Sequence, residues 1–309
     1  GRLGGDEFAI IIDTNEEAYA RDVVSRAISD IAKSDSPLLK DITVSVGIVS
    51  YPKDSTSAKD LFMYADTTMY KVKLSGKNKY LFFNKAIFDE ITSEFLIRSR
   101  IETALKKGDI HMVYQPQIDR STNKLYGFEA LLRLNDGLEK ASPQKIIEVA
   151  EKSTLINDID FYVLNRVTEE CKDIILSNPD VVFSVNISGK HLIQKSLPDK
   201  IESILKKNNF PPQNLCIEIT ESAFIKSLSI AKIVLSKINK MGIKVALDDF
   251  GMGYSSFVYL SELKVDHIKI EKFFIDSLFR ENGKENLTDM IIKIGHLFNY
   301  RVIAEGVEN

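Results

Sequence analysis

The chain has 309 residues, 44% hydrophobic and 28% charged, which fits ordinary globular domains, about two of them at this length. A formal net charge of −3 excludes the broad basic face of a general nucleic-acid binder, so no DNA or RNA partner is expected. No apolar run approaches the roughly 18 residues of a membrane span, Gly1 begins no signal peptide, and the separated Cys171 and Cys216 suit reduced core residues of a cytoplasmic protein.

Residues 1–83 mix β and α patterns. Gly4-Gly5 stands directly before the apolar run Phe8–Ile12, which reads as a tight hairpin turn whose first strand would lie before Gly1. A helix is predicted over 16–33 and a strand over 42–49, followed by helical spacing of Leu61, Ala65, Met69 and Val72. Residues 84–107 hold neither Pro nor Gly. Ile87, Ile91, Phe95, Ile101 and Leu105 predict one helix linking two domains and ending near Gly108.

From 108 to 309, strand-like runs at 112–118, 126–134, 182–188, 215–220, 243–249, 266–271 and 301–305 alternate with amphipathic helices. Val163, Val167, Cys171 and Ile174 share one helical face, as do Ile230, Val234, Ile238 and Met241, and Leu287, Ile291, Ile294 and Phe298. Repeated βα alternation favours a parallel sheet or a TIM-like (β/α) barrel. Only Asp119 to Lys124 separate the first two strands, too few for a parallel crossover, so the first strand should run antiparallel. Seven strands are visible, and an eighth, beyond Asn309, would be expected to close the barrel.

Polar residues interrupt these apolar strands. Glu129, Asn186, Glu218 and Lys269 each lie between apolar neighbours, Asp248-Asp249 end one run and Glu305 ends another. One such residue alone is ordinarily an edge or ion-pair residue, and an Asp-Asp pair before a Gly-rich loop is often turn chemistry. Six such positions in successive strands point instead to a polar barrel mouth. Two carboxylates about 6 Å apart repel by roughly 3 kcal/mol at an effective dielectric near 20. Five in one mouth therefore need cations or protons. His111, His191, His267 and His296 form no cluster, so oxygen donors with one Asn carbonyl favour Mg2+ or Mn2+ over zinc, and the adjacent aspartates suit two ions. Gly251-Met252-Gly253 makes a poor nucleotide fingerprint and reads as a mobile loop.

These runs resemble the EAL family of cyclic di-GMP phosphodiesterases. The matching pieces are Tyr114-Gln115-Pro116, Glu129-Ala130-Leu131-Leu132-Arg133, Asn186-Ile187-Ser188, Glu218-Ile219-Thr220-Glu221, Asp248 through Ser256, Ile268-Lys269-Ile270 and Glu305 through Glu308, in the family's order. The resemblance implies a barrel with an antiparallel first strand that hydrolyses cyclic di-GMP to pGpG with two Mg2+ or Mn2+ ions. It implies that Glu129, Asn186, Glu218 and Asp248 ligate one metal, and that Asp249 and Glu305, with Asp248 shared, hold or border the second. Lys269 would orient and help deprotonate the attacking water, a base role some accounts of the family give to Glu305. Gln115 and Arg133 would contact the dinucleotide, and Glu221 would brace the Asp249–Ser256 loop. EAL proteins commonly dimerise, so a homodimer is expected. Glu271 stands where the family usually has Asp, and Leu134 replaces a common Trp.

Residues 1–83 resemble the later part of the GGDEF family of diguanylate cyclases, an α+β nucleotidyl-cyclase-like fold. The naming motif is Gly4-Gly5-Asp6-Glu7-Phe8, and Ser45–Ile48, Ala65–Tyr70, Lys73 and Gly76-Lys77-Asn78 match further on. The resemblance implies a regulatory or GTP-binding role here. Alternative expectations are a silent receptor for cyclic di-GMP or GTP, and a bifunctional cyclase in a longer parent chain.

Overall fold

The structure, a computed structural model, describes residues 1–34, 36, 42–134, 141–221, 223, 228–251, 264–277 and 287–307. It divides into two compact units, Gly1–Leu96 and Ile97–Asn309.

In the first unit, β1 (Arg2–Gly4) pairs antiparallel with β2 (Glu7–Phe8) around Gly5, whose φ of +54° suits a residue without Cβ. The hairpin's first strand is therefore Arg2–Gly4, inside the chain rather than before Gly1. The expected strand through Ile12 ends at Phe8, and Ile10 and Ile11 are exposed. Helix α1 (Glu17–Ala32) is followed by β3 (Ser45–Ile48), α2 (Ala58–Leu74) and β4 (Lys79–Phe82), with β3 and β4 paired in parallel. Ser57 caps α2 by accepting from Asp60 N–H, and Val72 is buried beneath the helix. Gly47 lets α2 approach β3 closely, since a Cβ there would collide with the Ala65 carbonyl and lie 2.6 Å from Met69 N. Tyr64 of α2 stacks on Phe83, with ring centroids 4.3 Å apart, and meets Phe88 edge-on at 4.8 Å.

Helix α3 (Lys85–Lys107) carries the division between the units. Its buried residues are Ile97, Ile101 and Ala104, whereas Phe95, expected on the apolar face, is exposed.

The second unit holds one seven-stranded sheet in sequence order. Its strands are β5 (Ile110–Asp119), β6 (Lys124–Leu134), β7 (Val182–Asn186), β8 (Leu215–Thr220), β9 (Lys244–Asp248), β10 (His267–Ile270) and β11 (Arg301–Ala304). β5 and β6 are antiparallel and every other neighbouring pair is parallel, as the short Asp119–Lys124 connection requires. Between the strands lie α4 (Pro143–Glu151), α5 (Leu155–Glu170), α6 (Lys172–Ser177), α7 (Gly189–Leu192), α8 (Leu197–Asn208), α9 (Leu228–Lys240), α10 (Lys272–Ser277) and α11 (Leu287–Leu297).

Contacts between strands that are not neighbours show the sheet curling on itself. Tyr126 of β6 shares a 2.6 Å hydrogen bond with His267 of β10, and Arg301 of β11 lies 3.9 Å from the Tyr126 ring centre and 3.7 Å from the Asp119 carboxylate. Period-two alternation then sorts the side chains. Phe183, Val185, Leu215, Ile217, Val245, Leu247, Ile268 and Ile270 face the helices and join Ile159, Val163, Ile201, Val234 and Ile291 in the main core. Val182, Cys216 and Ala246 face inward and form a small second cluster with Tyr126. Both cysteines are free and buried. The face expected to include Ile174 is interrupted: α5 stops at Glu170, so Ile174 falls on α6 exposed while Ile175 is buried.

Candidate active site

The inward positions change character toward the carboxyl ends of the strands. Glu129 of β6, Asn186 closing β7, Glu218 of β8, Asp248 closing β9, Lys269 of β10 and Glu305 just after β11 come together. Lys269 is the hub. Its Nζ lies 2.5 Å from Glu218 Oε2, 2.7 Å from Glu305 Oε1, 3.1 Å from Glu129 Oε2 and 3.4 Å from Asp248 Oδ2. Asn186 joins through its Nδ2, which donates to Glu129 Oε1 at 3.0 Å. Lys269 and Glu218 are essentially without solvent contact, at 1% and 0% side-chain exposure, while Glu305 at 30% marks the open side. The centre therefore reaches into the barrel interior beneath its mouth.

Backbone hydrogen bonds carry the parallel ladder past the strand ends and hold these positions. Ile187 N–H donates to Glu218 O, Phe250 N–H to Lys269 O and Glu305 N–H to Ile270 O. Asp249, with φ of +56°, turns the chain out of β9.

Four carboxylates around one ammonium leave negative charge in a dry site, and the acidities respond. Burial pushes the Glu218 carboxyl up to about 8, against the opposing pull of Lys269. Burial also raises Asp248 and Glu305. Burial works against the Lys269 ammonium, yet Glu218, Asp248, Glu129 and Glu305 together hold it above the ordinary lysine range. Burial, and a hydrogen bond shared with Glu271, push Asp249 up to about 6.

The donor chemistry fits a hard divalent cation. Glu218 Oε1 is buried without a hydrogen-bond partner, and Asn186, donating through its nitrogen, keeps its carbonyl oxygen for a ligand. Among the described residues, no three acidic, imidazole or thiol groups stand in an ion-holding geometry as they are, the oxygens being drawn onto Lys269.

Gln115 lies opposite Glu129 in the β5–β6 ladder, and Arg133 is four residues further along β6, so both share the inner face. Arg133 Nη1 donates to Leu132 O at 2.8 Å. Glu221 Oε2 accepts from Gly251 N–H at 3.2 Å, while residues 252–256 of the loop it was expected to brace, and the Gly253 of the expected mobile loop, lie outside the described residues. In the first unit, Gly4, Gly5, Asp6, Glu7 and Phe8 form the exposed β1–β2 turn, steadied by Arg2 donating to Gly5 O. Sequence reasoning quoted Ser188 only within a matching run and missed Asp160 and His191, both buried, which bond with it two residues beyond Asn186.

A curled, mostly parallel sheet with acidic groups and a lysine gathered at its strand ends defines a TIM-like α/β barrel with the polar centre typical of barrel enzymes. The chain belongs to the EAL domain family, whose family model matches residues 98–309, and a model of the diguanylate cyclase GGDEF domain matches residues 1–79. The signaling protein YkoW of Bacillus subtilis is 36% identical over 316 residues, covering 100% of this chain and 39% of that protein. The bifunctional diguanylate cyclase/cyclic di-GMP phosphodiesterase MucR of Pseudomonas aeruginosa is 30% identical, covering 99% of this chain and 45% of that protein. The chain thus spans less than half the length of these relatives. A solved structure described as the PaMucR phosphodiesterase in complex with c-di-GMP superposes with a TM-score of 0.63 at 28% identity, over 69% of this chain and 87% of that one. No helix among the described residues is long and apolar enough to cross a membrane.

Proposed function

We propose that the barrel opens cyclic di-GMP at one phosphodiester to give linear pGpG, in a cytoplasmic protein acting as a homodimer. The observation that carries this reading is the buried Lys269, met by carboxylates from three strands and from the residue after a fourth, in a chain of the EAL family. The similarity to MucR, whose solved phosphodiesterase is described as a c-di-GMP complex, supports the choice of substrate.

In this reading Glu129, Asn186, Glu218 and Asp248 hold one Mg2+ or Mn2+ ion, and Asp249 and Glu305, with Asp248 shared, hold or border a second. Such ions polarise the phosphate and make water a usable nucleophile near neutral pH. Lys269 orients the attacking water and supplies positive charge as it loses a proton. Glu305, whose Oε1 already lies 2.7 Å from Lys269 Nζ, is placed to accept that proton. Arg133 offers a planar fork of N–H donors to a phosphate, and Gln115 contacts the dinucleotide beside it. Glu221 fixes the loop after Asp249 through Gly251 N–H. The first unit, with Asp6 and Glu7 in an exposed turn, acts as a regulatory or GTP-binding element.

The test is incubation with cyclic di-GMP, with Mg2+, Mn2+ or a chelator, and separation of the products. Metal-dependent pGpG is the expected result. Dinucleotide bound but unchanged in saturating metal overturns the reading in favour of a receptor. Cyclic product from GTP overturns the purely regulatory role of the first unit.

A further inference from the structure

Behind the strand that carries Asn186 lies a buried carboxylate with no role so far. Asp160 sits on the face of α5 that otherwise presents Ile156, Ile159, Val163 and Leu164 to the core, and it is 4% exposed. A carboxylate in such a place persists only when its oxygens are hydrogen-bonded. Its Oδ2 accepts from Ser188 Oγ at 2.9 Å, from Ser188 N–H at 3.1 Å and from His191 Nδ1 at 3.1 Å. Ser188 is the residue that opens α7, yet its hydroxyl makes no cap to that helix and goes to Asp160 instead. The His191 ring is fully buried against Phe161, with 4.2 Å between ring centres, and its Nε2 has no hydrogen-bond partner. Asp160 is thus the polar partner that orients it.

These bonds converge on the turn two residues after Asn186. The same turn is held elsewhere by Ile187 N–H on Glu218 O and by Gly189, where an added Cβ would overlap the Ala223 methyl group. The backbone carrying Asn186 is therefore suspended between the β8 ladder on one side and the Asp160 carboxylate on the other.

We propose that Asp160 is a positioning residue for the metal centre, holding Asn186 through Ser188 and His191 so that its carbonyl oxygen meets the ion shared with Glu129, Glu218 and Asp248. The proposal rests on the reading of those four residues as a metal site. Residues that orient a ligand in this way commonly change metal affinity by 10–100-fold when removed.

Calorimetric titration of the 309-residue chain with Mn2+ alone, without nucleotide, tests it. Asp160→Ala should raise the Mn2+ dissociation constant by about 10–100-fold. Asp160→Asn, which keeps one acceptor oxygen, should lose less. The control is Thr168→Val on the same helix. It removes a buried hydroxyl that donates to Leu164 O and accepts from Asn208, and should destabilise the fold while leaving Mn2+ affinity unchanged. Unaltered Mn2+ affinity in folded Asp160→Ala overturns the positioning role and leaves the metal site standing. Equal losses in Asp160→Ala and Thr168→Val overturn it too, because the effect would then track stability alone. Failure of the wild-type chain to bind Mn2+ removes the metal site and the proposal with it. If Asp160→Ala does not fold, Ser188→Ala carries the same comparison: a severalfold loss supports the proposal and no loss overturns it.

Discussion

Replacing Lys269 by methionine keeps a long apolar stem and removes the one cation that four carboxylates share. A contact near 3 Å is worth roughly 5 kcal/mol before desolvation at an effective dielectric near 20. Desolvation offsets much of that, and stripping one partner from a buried ion cluster leaves a net loss of about 3–5 kcal/mol. The expected loss applies at pH 8, where the remaining carboxylates are least protonated. A cluster deprived of its cation returns to the wild-type charge by binding one proton more than the wild type. The sign follows from linkage: a carboxyl whose folded pKa lies above its unfolded value is protonated in the fold and ionised in the unfolded chain, so its stabilisation falls as pH rises. One extra such group recovers about 1.4 kcal/mol per pH unit. The deficit of Lys269→Met relative to wild type should shrink from about 3–5 kcal/mol at pH 8 to about 0–2 kcal/mol at pH 6. Urea unfolding followed by far-ultraviolet circular dichroism measures both. A deficit equal at the two pH values would refute the electrostatic account of this buried lysine.

Three further outcomes are expected. Burial, aided by Lys244 and Arg301, pushes His267 down to about 4 from 6.5, so it folds neutral and stabilises fully above pH 6.5. That stabilisation is lost as pH falls toward 4, and urea titrations should show the wild type losing about 3 kcal/mol more than His267→Gln across this window. Gly47→Ala drives a methyl group into the α2 backbone at Ala65 and Met69, and should destabilise the first unit by about 1–3 kcal/mol in the same assay. Glu129→Ala removes the partner of both Lys269 and Asn186 and, in the proposed metal site, one donor, and should lower kcat/KM for cyclic di-GMP by roughly 100-fold or more in saturating Mg2+.

The barrel was legible where period and composition carry information. Apolar runs marked all seven strands to within two residues, and the short connection from Asp119 to Lys124 was enough to reverse the first. What could not be read depends on partners distant in the chain. Lys269 stood out as a charge in a strand, but its burial among four carboxylates follows from curling that brings it to Glu129, 140 positions earlier. Asp160 is one of four acids on α5 and the one on its buried face, and its partners Ser188 and His191 arrive 28 and 31 residues later. The hairpin strand Arg2–Gly4 is three residues long, too short for any alternation to register. Ile10 and Ile11 read as strand because they are β-branched, yet among the described residues no strand pairs with them. Phe95 and Ile174 followed helical spacing, but spacing does not say where a helix changes neighbours or ends.

The order of the strands bears on biosynthesis. Glu129, Glu218 and Asp248 leave the ribosome before Lys269, and Glu218 precedes it by 51 residues. At about 5–20 residues per second, this acid is made roughly 3–10 s before its counterion. A nascent half-barrel therefore carries uncompensated acids along its inner wall during elongation. Ambient magnesium, by screening them, should set how far the early strands assemble before the lysine arrives.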